Sequence, residues 1–178
     1  MSLLLALLLS LSPALAGELA GVTMSDSATI AGQPLVLNGL GLREKYFLDI
    51  YVGGLYLPAK THDGAAAIEQ DVPKLIRMQF VYSSVPAAKM VATYEEGFAT
   101  NPRTKGLEGQ IATFLGLLVD MHSGDVMELE YAPGTGTTLR VQGKALGTIP
   151  GVEFMRLVFS NYIGPDAYGQ LRDGMLGG

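Results

Sequence analysis

The stretch that decides the fold is residues 37–57, LNGLGLREKYFLDIYVGGLYL. Its second half, 47–57, is rich in aromatic and branched residues and reads as an extended strand. Phe47, Asp49, Tyr51, Gly53, Leu55 and Leu57 fall on one face; Leu48, Ile50, Val52, Gly54 and Tyr56 fall on the other. Apolar residues on both faces predict a central strand, or a tight pair of strands. Gly53-Gly54 permits a bend or the close approach of another backbone. Upstream, Leu35-Val36-Leu37 reads as a short strand ending in a turn at Asn38-Gly39. Arg43 follows this glycine-bracketed run and precedes the most hydrophobic strand of the chain. An arginine pointing inward there needs an anion or several carbonyls. It either grips a carboxylate or phenolate through two parallel hydrogen bonds, or forms a structural ion pair with Glu44, Asp49 or a loop carbonyl.

Downstream, Asp63 caps a short helix over 64–70, and 75–82 forms a second strand. Ser83 or Ser84 then caps a helix with Pro86 in its first turn. Ala87, Met90, Val91, Tyr94 and Phe98 make its core-facing stripe, and Asn101-Pro102 ends it. Leu107, Ile111, Phe114, Leu115, Leu118 and Val119 form another helical stripe. Strands follow over 126–131 and 137–142, joined by a turn at Pro133-Gly134-Thr135-Gly136. Gly143-Lys144 turns the chain again towards Ile149, 151–160 is helical with Phe154, Leu157 and Val158 inward, and Pro165 opens a last short helix. Upstream of the deciding stretch, 22–32 is polar and weakly patterned. The pattern is α+β: a mostly antiparallel sheet with helices on one side.

At the amino terminus, residues 3–11 are almost all leucine and alanine, and Ala14-Leu15-Ala16 precedes Gly17. This reads as a secretory signal over 1–16 with cleavage after Ala16, although no Lys or Arg follows Met1. The run is too short to span a bilayer, which takes ~20 apolar residues. One domain, 17–178, remains. It carries no repeats, low-complexity tracts or linkers.

Composition narrows the chemistry. Twelve basic against seventeen acidic residues give a net charge of -5, which argues against a nucleic-acid partner. The absence of cysteine removes disulfides, iron–sulfur clusters and thiol catalysis. Two histidines far apart in sequence, His62 and His122, do not make a multi-histidine metal site. No phosphate-loop, nucleophile-elbow or zinc-protease motif is present. His122 beside Asp120 and Asp125, and the adjacent Glu95-Glu96, read as solvated groups. Tyr51, Tyr56, Tyr82 and Tyr94 offer apolar walls with a polar tip. No metal or cofactor is expected.

Residues 37–43, followed by Phe47 and by 51–57, resemble the chalcone isomerase-like family, and more closely its bacterial, exported branch. Gly124-Asp125, residues 133–137, the Gly143 turn, residues 149–154 and Ile163-Gly164-Pro165 follow in the family's order, over nearly all of 17–178. The resemblance implies an open-faced β-sandwich, a large antiparallel sheet packed against a layer of helices with a ligand cleft between them. In the plant enzymes of the family an arginine after the glycine-rich turn stabilises enolate charge during ring closure; Arg43 matches it. The family's catalytic threonine falls at Tyr51, and its tyrosine and asparagine fall near Ala87 and Tyr94. Non-catalytic members bind fatty acids, with the arginine and a tyrosine holding the carboxylate.

The resulting expectation is an exported protein, periplasmic or secreted. It binds a small apolar anion, such as a fatty acid or aromatic acid, through Arg43, Tyr51, Tyr82 and Tyr94, without catalysis. The mature form has no transmembrane span. An isomerase of the intramolecular lyase type, acting on an enone-like substrate, is one alternative. A partner-binding module whose cleft is closed by its own tyrosines is another.

Overall fold

A computed structural model describes residues 15–178, so the expected leader lies outside the described residues apart from Leu15 and Ala16. The chain begins with a hairpin of β1 (Leu15–Leu19) and β2 (Val22–Ser25). A seven-stranded antiparallel sheet follows, built from β3 (Ser27–Ile30), β4 (Gln33–Lys45), β5 (Leu48–Leu57), β6 (Lys74–Phe80), β9 (Val126–Ala132), β10 (Gly136–Val141) and β11 (Lys144–Ile149). Its order is β11-β10-β9-β6-β5-β4-β3. The helices are α1 (Gly64–Glu69), α2 (Ala87–Ala99), α3 (Glu108–Leu115), α4 (Val152–Ile163) and α5 (Gly169–Met175). Two short strands, β7 (Ser84–Val85) and β8 (Met121–His122), pair apart from the sheet.

The central strand behaves as its composition demands. Leu55 and Leu57 of β5 join the main core with Phe114, Phe154 and Phe159 of the helix layer. On the opposite face Tyr56 packs with Leu35 and Leu75, and Val52 packs with Val22 and Met24 of the amino-terminal hairpin. That hairpin covers part of the sheet's outer face. This is why residues 22–32, weakly patterned by composition, form strands: Val22 and Met24 are buried in alternation with exposed Thr23 and Ser25.

Four local expectations are corrected. Asn38-Gly39 does not turn; β4 runs through it with a register shift between Leu37 and Gly39. The buried Asn38 amide instead bonds Thr61 through both backbone groups and donates to the Met175 carbonyl at 2.8 Å, tying β4 to the carboxyl terminus. No serine caps α2. Ser84 lies in β7, Pro86 is the N-cap residue, and the Ala87 N–H donates to Asp120 Oδ1 at 2.7 Å. The stripe from Leu107 forms helix only over Glu108–Leu115; Phe114 is fully buried, Leu115 half-buried and Val119 exposed. Pro165 sits in a loop, and α5 starts at Gly169.

Candidate functional site

The glycine-rich run has a steric explanation. Gly39, Gly41 and Arg43 lie on one face of β4, opposite Leu55, Gly53 and Tyr51 of β5. Helix α5 lies directly on this ladder. A Cβ on Gly41 would overlap the Leu171 carbonyl oxygen, and one on Gly39 would overlap the Gly174 carbonyl oxygen. A Cβ on Gly53 would overlap the Met175 methyl group. Glycine is therefore the residue that lets a helix backbone settle onto these strands. The ladder then ends in Arg43 and Tyr51, the first large side chains beyond the edge of α5. They project on the helix-covered face as direct cross-strand neighbours.

Two adjoining clefts, of about 590 Å³ and 350 Å³, open at this point, and Arg43, Tyr51, Thr93 and Glu96 border both. The larger is rimmed by polar groups, among them Asn101, Asn161 and Asp166, with Ile68 and Leu171 beneath. The smaller is lined by Leu48, Ile50, Val85 and Met90, with Tyr82 in its wall. Of the residues singled out in the sequence, Arg43 and Tyr51 stand at the junction, Tyr94 lines the larger cleft and Tyr82 the smaller. Ala87, near which a family catalytic tyrosine was expected, lines neither.

Arg43 has neither an ion-pair nor a hydrogen-bond partner among the described residues, so Glu44 and Asp49 do not hold it. Its guanidinium instead stacks on the Tyr168 ring, with Cζ 4.3 Å from the centroid. Stacking uses the face of the guanidinium and leaves its in-plane N–H donors available. Those donors form the fork that suits a carboxylate or phenolate. Tyr168 gave no signal in the sequence, because the loop that carries it meets β4 only through the docking of α5.

Burial keeps the hydroxyls of Tyr51, Tyr94 and Tyr162 neutral. Desolvation raises the Tyr51 hydroxyl to about 12, against the opposing pull of the Arg43 charge. Burial likewise raises Tyr94 and Tyr162. Their hydroxyls share a hydrogen bond, and the Tyr162 hydroxyl lies 3.3 Å from Met78 Sδ. When Tyr162 donates to Tyr94, the Tyr94 O–H is free to donate into the cleft; when Tyr94 donates, the Tyr162 hydrogen falls to the sulfur. Tyr94 is fixed edge-on to Phe114 with ring centroids 4.8 Å apart, and Tyr51 is packed on Phe80 at 5.4 Å. All are donors at cellular pH, and none is a general base.

The histidines stand apart from this site. His122 is exposed, with Nδ1 3.5 Å from Asp125 Oδ2, and His62 contacts the Leu176 carbonyl. Among the described residues no group of three or more His, Asp or Glu side chains is placed to hold a metal ion. Also among them, no helix is long and apolar enough to cross a membrane.

No curated protein sequence matches the chain. Among solved structures it is similar to the crystal structure of an Arabidopsis thaliana fatty-acid binding protein, AtFAP1, at 19% identity and a TM-score of 0.71. The match covers 88% of this chain and 92% of that one. That likeness concerns the fold: a large antiparallel sheet under helices. The profile described as chalcone isomerase-like matches residues 16–177, a span that takes in the glycine ladder under α5, the Arg43 junction and both clefts. By that match over nearly its whole length, the chain belongs to the chalcone isomerase-like family.

Proposed function

We propose that this protein binds a single-chain amphiphilic anion, such as a fatty acid, without transforming it. The observation that carries this reading is the Arg43 guanidinium, stacked on Tyr168 and without an ion-pair or hydrogen-bond partner among the described residues, where a polar-rimmed cleft meets a smaller, apolar one. An anionic head at this junction receives the guanidinium fork and the Tyr51 hydroxyl. A tail along Leu48, Ile50, Val85 and Met90 leaves water. The fatty-acid binding protein of similar fold supports the choice of ligand class. The neutral Tyr51 and Tyr94 hydroxyls beside Arg43 supply hydrogen-bond donors suited to holding an anion. An aromatic acid fits the same head site and differs only in the length of the apolar part.

The decisive measurement is displacement of a fluorescent long-chain carboxylate from the purified protein, with a long-chain alcohol of equal length as competitor. The carboxylate competes and the alcohol does not. Equal competition, or no binding of the probe, overturns the proposal. Native mass spectrometry of protein taken from its own host identifies the resident ligand.

We further propose that residues 1–16 are a removable export leader, that 17–178 is the mature domain, and that the chain belongs to the exported bacterial branch of the family, acting in the periplasm or outside the cell. The leucine-rich run ending in Ala14-Leu15-Ala16 supports this. An intact mass beginning at Gly17 is the expected result; retained Met1 in a cytoplasmic product refutes it.

A further inference from the structure

The β4–β5 hairpin ends in Tyr46-Phe47, with Lys45 paired to Leu48 across the turn. Both tip residues have positive φ, 52° and 64°. A two-residue hairpin turn of this kind favours Asn-Gly, and large aromatic residues strain it. The same two aromatics are the most solvent-exposed large hydrophobic groups of the described residues: Phe47 is 95% and Tyr46 82% exposed, with Leu48 at 46%. Their placement opposes both folding preference and burial. It also adjoins the ligand site, since Tyr46 and Leu48 line the mouth of the apolar cleft that leads back to Arg43.

We propose that this tip docks on a lipid bilayer and brings the mouth of the cleft to the membrane surface, where an amphiphilic ligand resides. The proposal rests on the ligand class proposed above for its purpose, and on the hairpin itself for its geometry. Three features favour a bilayer over a protein partner. Two aromatics and part of a leucine remove roughly 400 Å² from water, about half of what each side of a specific protein interface contributes, ~800 Å². A convex tip needs a soft apolar phase more than a complementary pocket, and aromatic rings over a lysine are the composition that anchors at the headgroup boundary. Lys45 stands beside the Tyr46 ring, with Nζ 5.8 Å from its centroid, placed to reach headgroup oxygens while the rings go deeper. Glu44 and Asp49 face each other one pair behind the tip, so the attraction is apolar and not a matter of net charge.

The chain contains no tryptophan, so Phe47→Trp puts a single reporter at the tip of the full-length protein. On addition of phosphatidylcholine vesicles its emission shifts to the blue and is quenched by brominated lipid. In co-flotation, the Phe47→Gly variant, which suits the turn and touches neither cleft, loses about tenfold of its vesicle partitioning relative to the parent. It keeps its affinity for the fluorescent carboxylate in vesicle-free buffer. Unshifted tryptophan emission, or equal flotation of parent and Phe47→Gly, overturns the proposal. So does concentration-dependent self-association that Phe47→Gly abolishes, which would mean that a second copy covers the tip. Loss of carboxylate binding in buffer with flotation intact makes the tip a cleft wall and also overturns it. A parent that floats through the tip but binds no carboxylate keeps the docking and removes the ligand proposal, so the two fail separately.

Discussion

Replacing Arg43 with alanine distinguishes a guanidinium that serves a ligand from one that serves the fold. Its guanidinium stacks on Tyr168, a residue 37% exposed, and has no ion-pair partner among the described residues. Such a cation–π contact near the surface contributes about 0.5–1 kcal/mol. For a domain of this size that corresponds to a fall in Tm of roughly 1–4 °C. A structural buried ion pair would behave otherwise, since removing one partner costs about 3–5 kcal/mol. The effect on binding is larger than the effect on stability. Truncating one member of a desolvated charge pair weakens binding by about 2–5 kcal/mol, which is thirtyfold or more at roughly 1.4 kcal/mol per tenfold. Arg43→Lys also weakens binding, because an ammonium cannot present a planar fork or stack on Tyr168 in the same way. Thermal unfolding and titration of the fluorescent long-chain carboxylate on both variants check this. Unchanged probe affinity in well-folded Arg43→Ala refutes the reasoning. A stability loss of several kcal/mol does so too, by making the arginine structural.

Gly41→Ala drives a methyl group into the Leu171 carbonyl, so α5 must lift; chemical denaturation should show a loss of about 1–3 kcal/mol, with carboxylate binding weakened as the Tyr168 loop shifts. Phe114→Ala, at a fully buried position, should cost about 3–5 kcal/mol. Leu115→Ala, at a half-buried one, should cost less than half of that, and equal losses would show that the helix is rotated. Lys74 is buried with its ammonium bonded to the Ala67 and Gln70 carbonyls, and burial lowers it from 10.5 to about 8. The unfolded chain therefore binds the extra proton between these values, and stability rises with pH over roughly 8 to 9. Above that range the tyrosines act in the opposite sense, because their raised values make the folded state hold the proton longer. Denaturation midpoints across this window should rise in the parent and stay flat in Lys74→Met.

The residues that govern secondary structure by local chemistry were legible in the sequence. Asp63 caps α1 through the Ala66 N–H, the Pro133–Thr135 turn joins two paired strands, and Met90, Tyr94 and Phe98 recur at helical spacing and are buried. Period and turn chemistry act over a few residues, so one strand of sequence suffices to read them. The period of two over 47–57 also indicated a strand covered on both faces, which makes β5 central. Arg43, after a glycine run and before a hydrophobic strand, was chemically conspicuous, and the family resemblance is what made it and Tyr51 ligand candidates. Asn38-Gly39 misled for the converse reason: its local preference is for a turn, but the buried amide finds Thr61 and Met175, 23 and 137 residues away, and those bonds hold it in a strand. The stack of Tyr168 on Arg43, the Tyr94–Tyr162 hydroxyl pair and the Asp120 cap on α2 are likewise contacts between distant segments. Only the tertiary structure decided them. The Tyr168 stack depends on how closely α5 approaches the sheet, and that distance is set by Gly39, Gly41 and Gly53, whose lack of a side chain carries no pattern until the helix above them is seen.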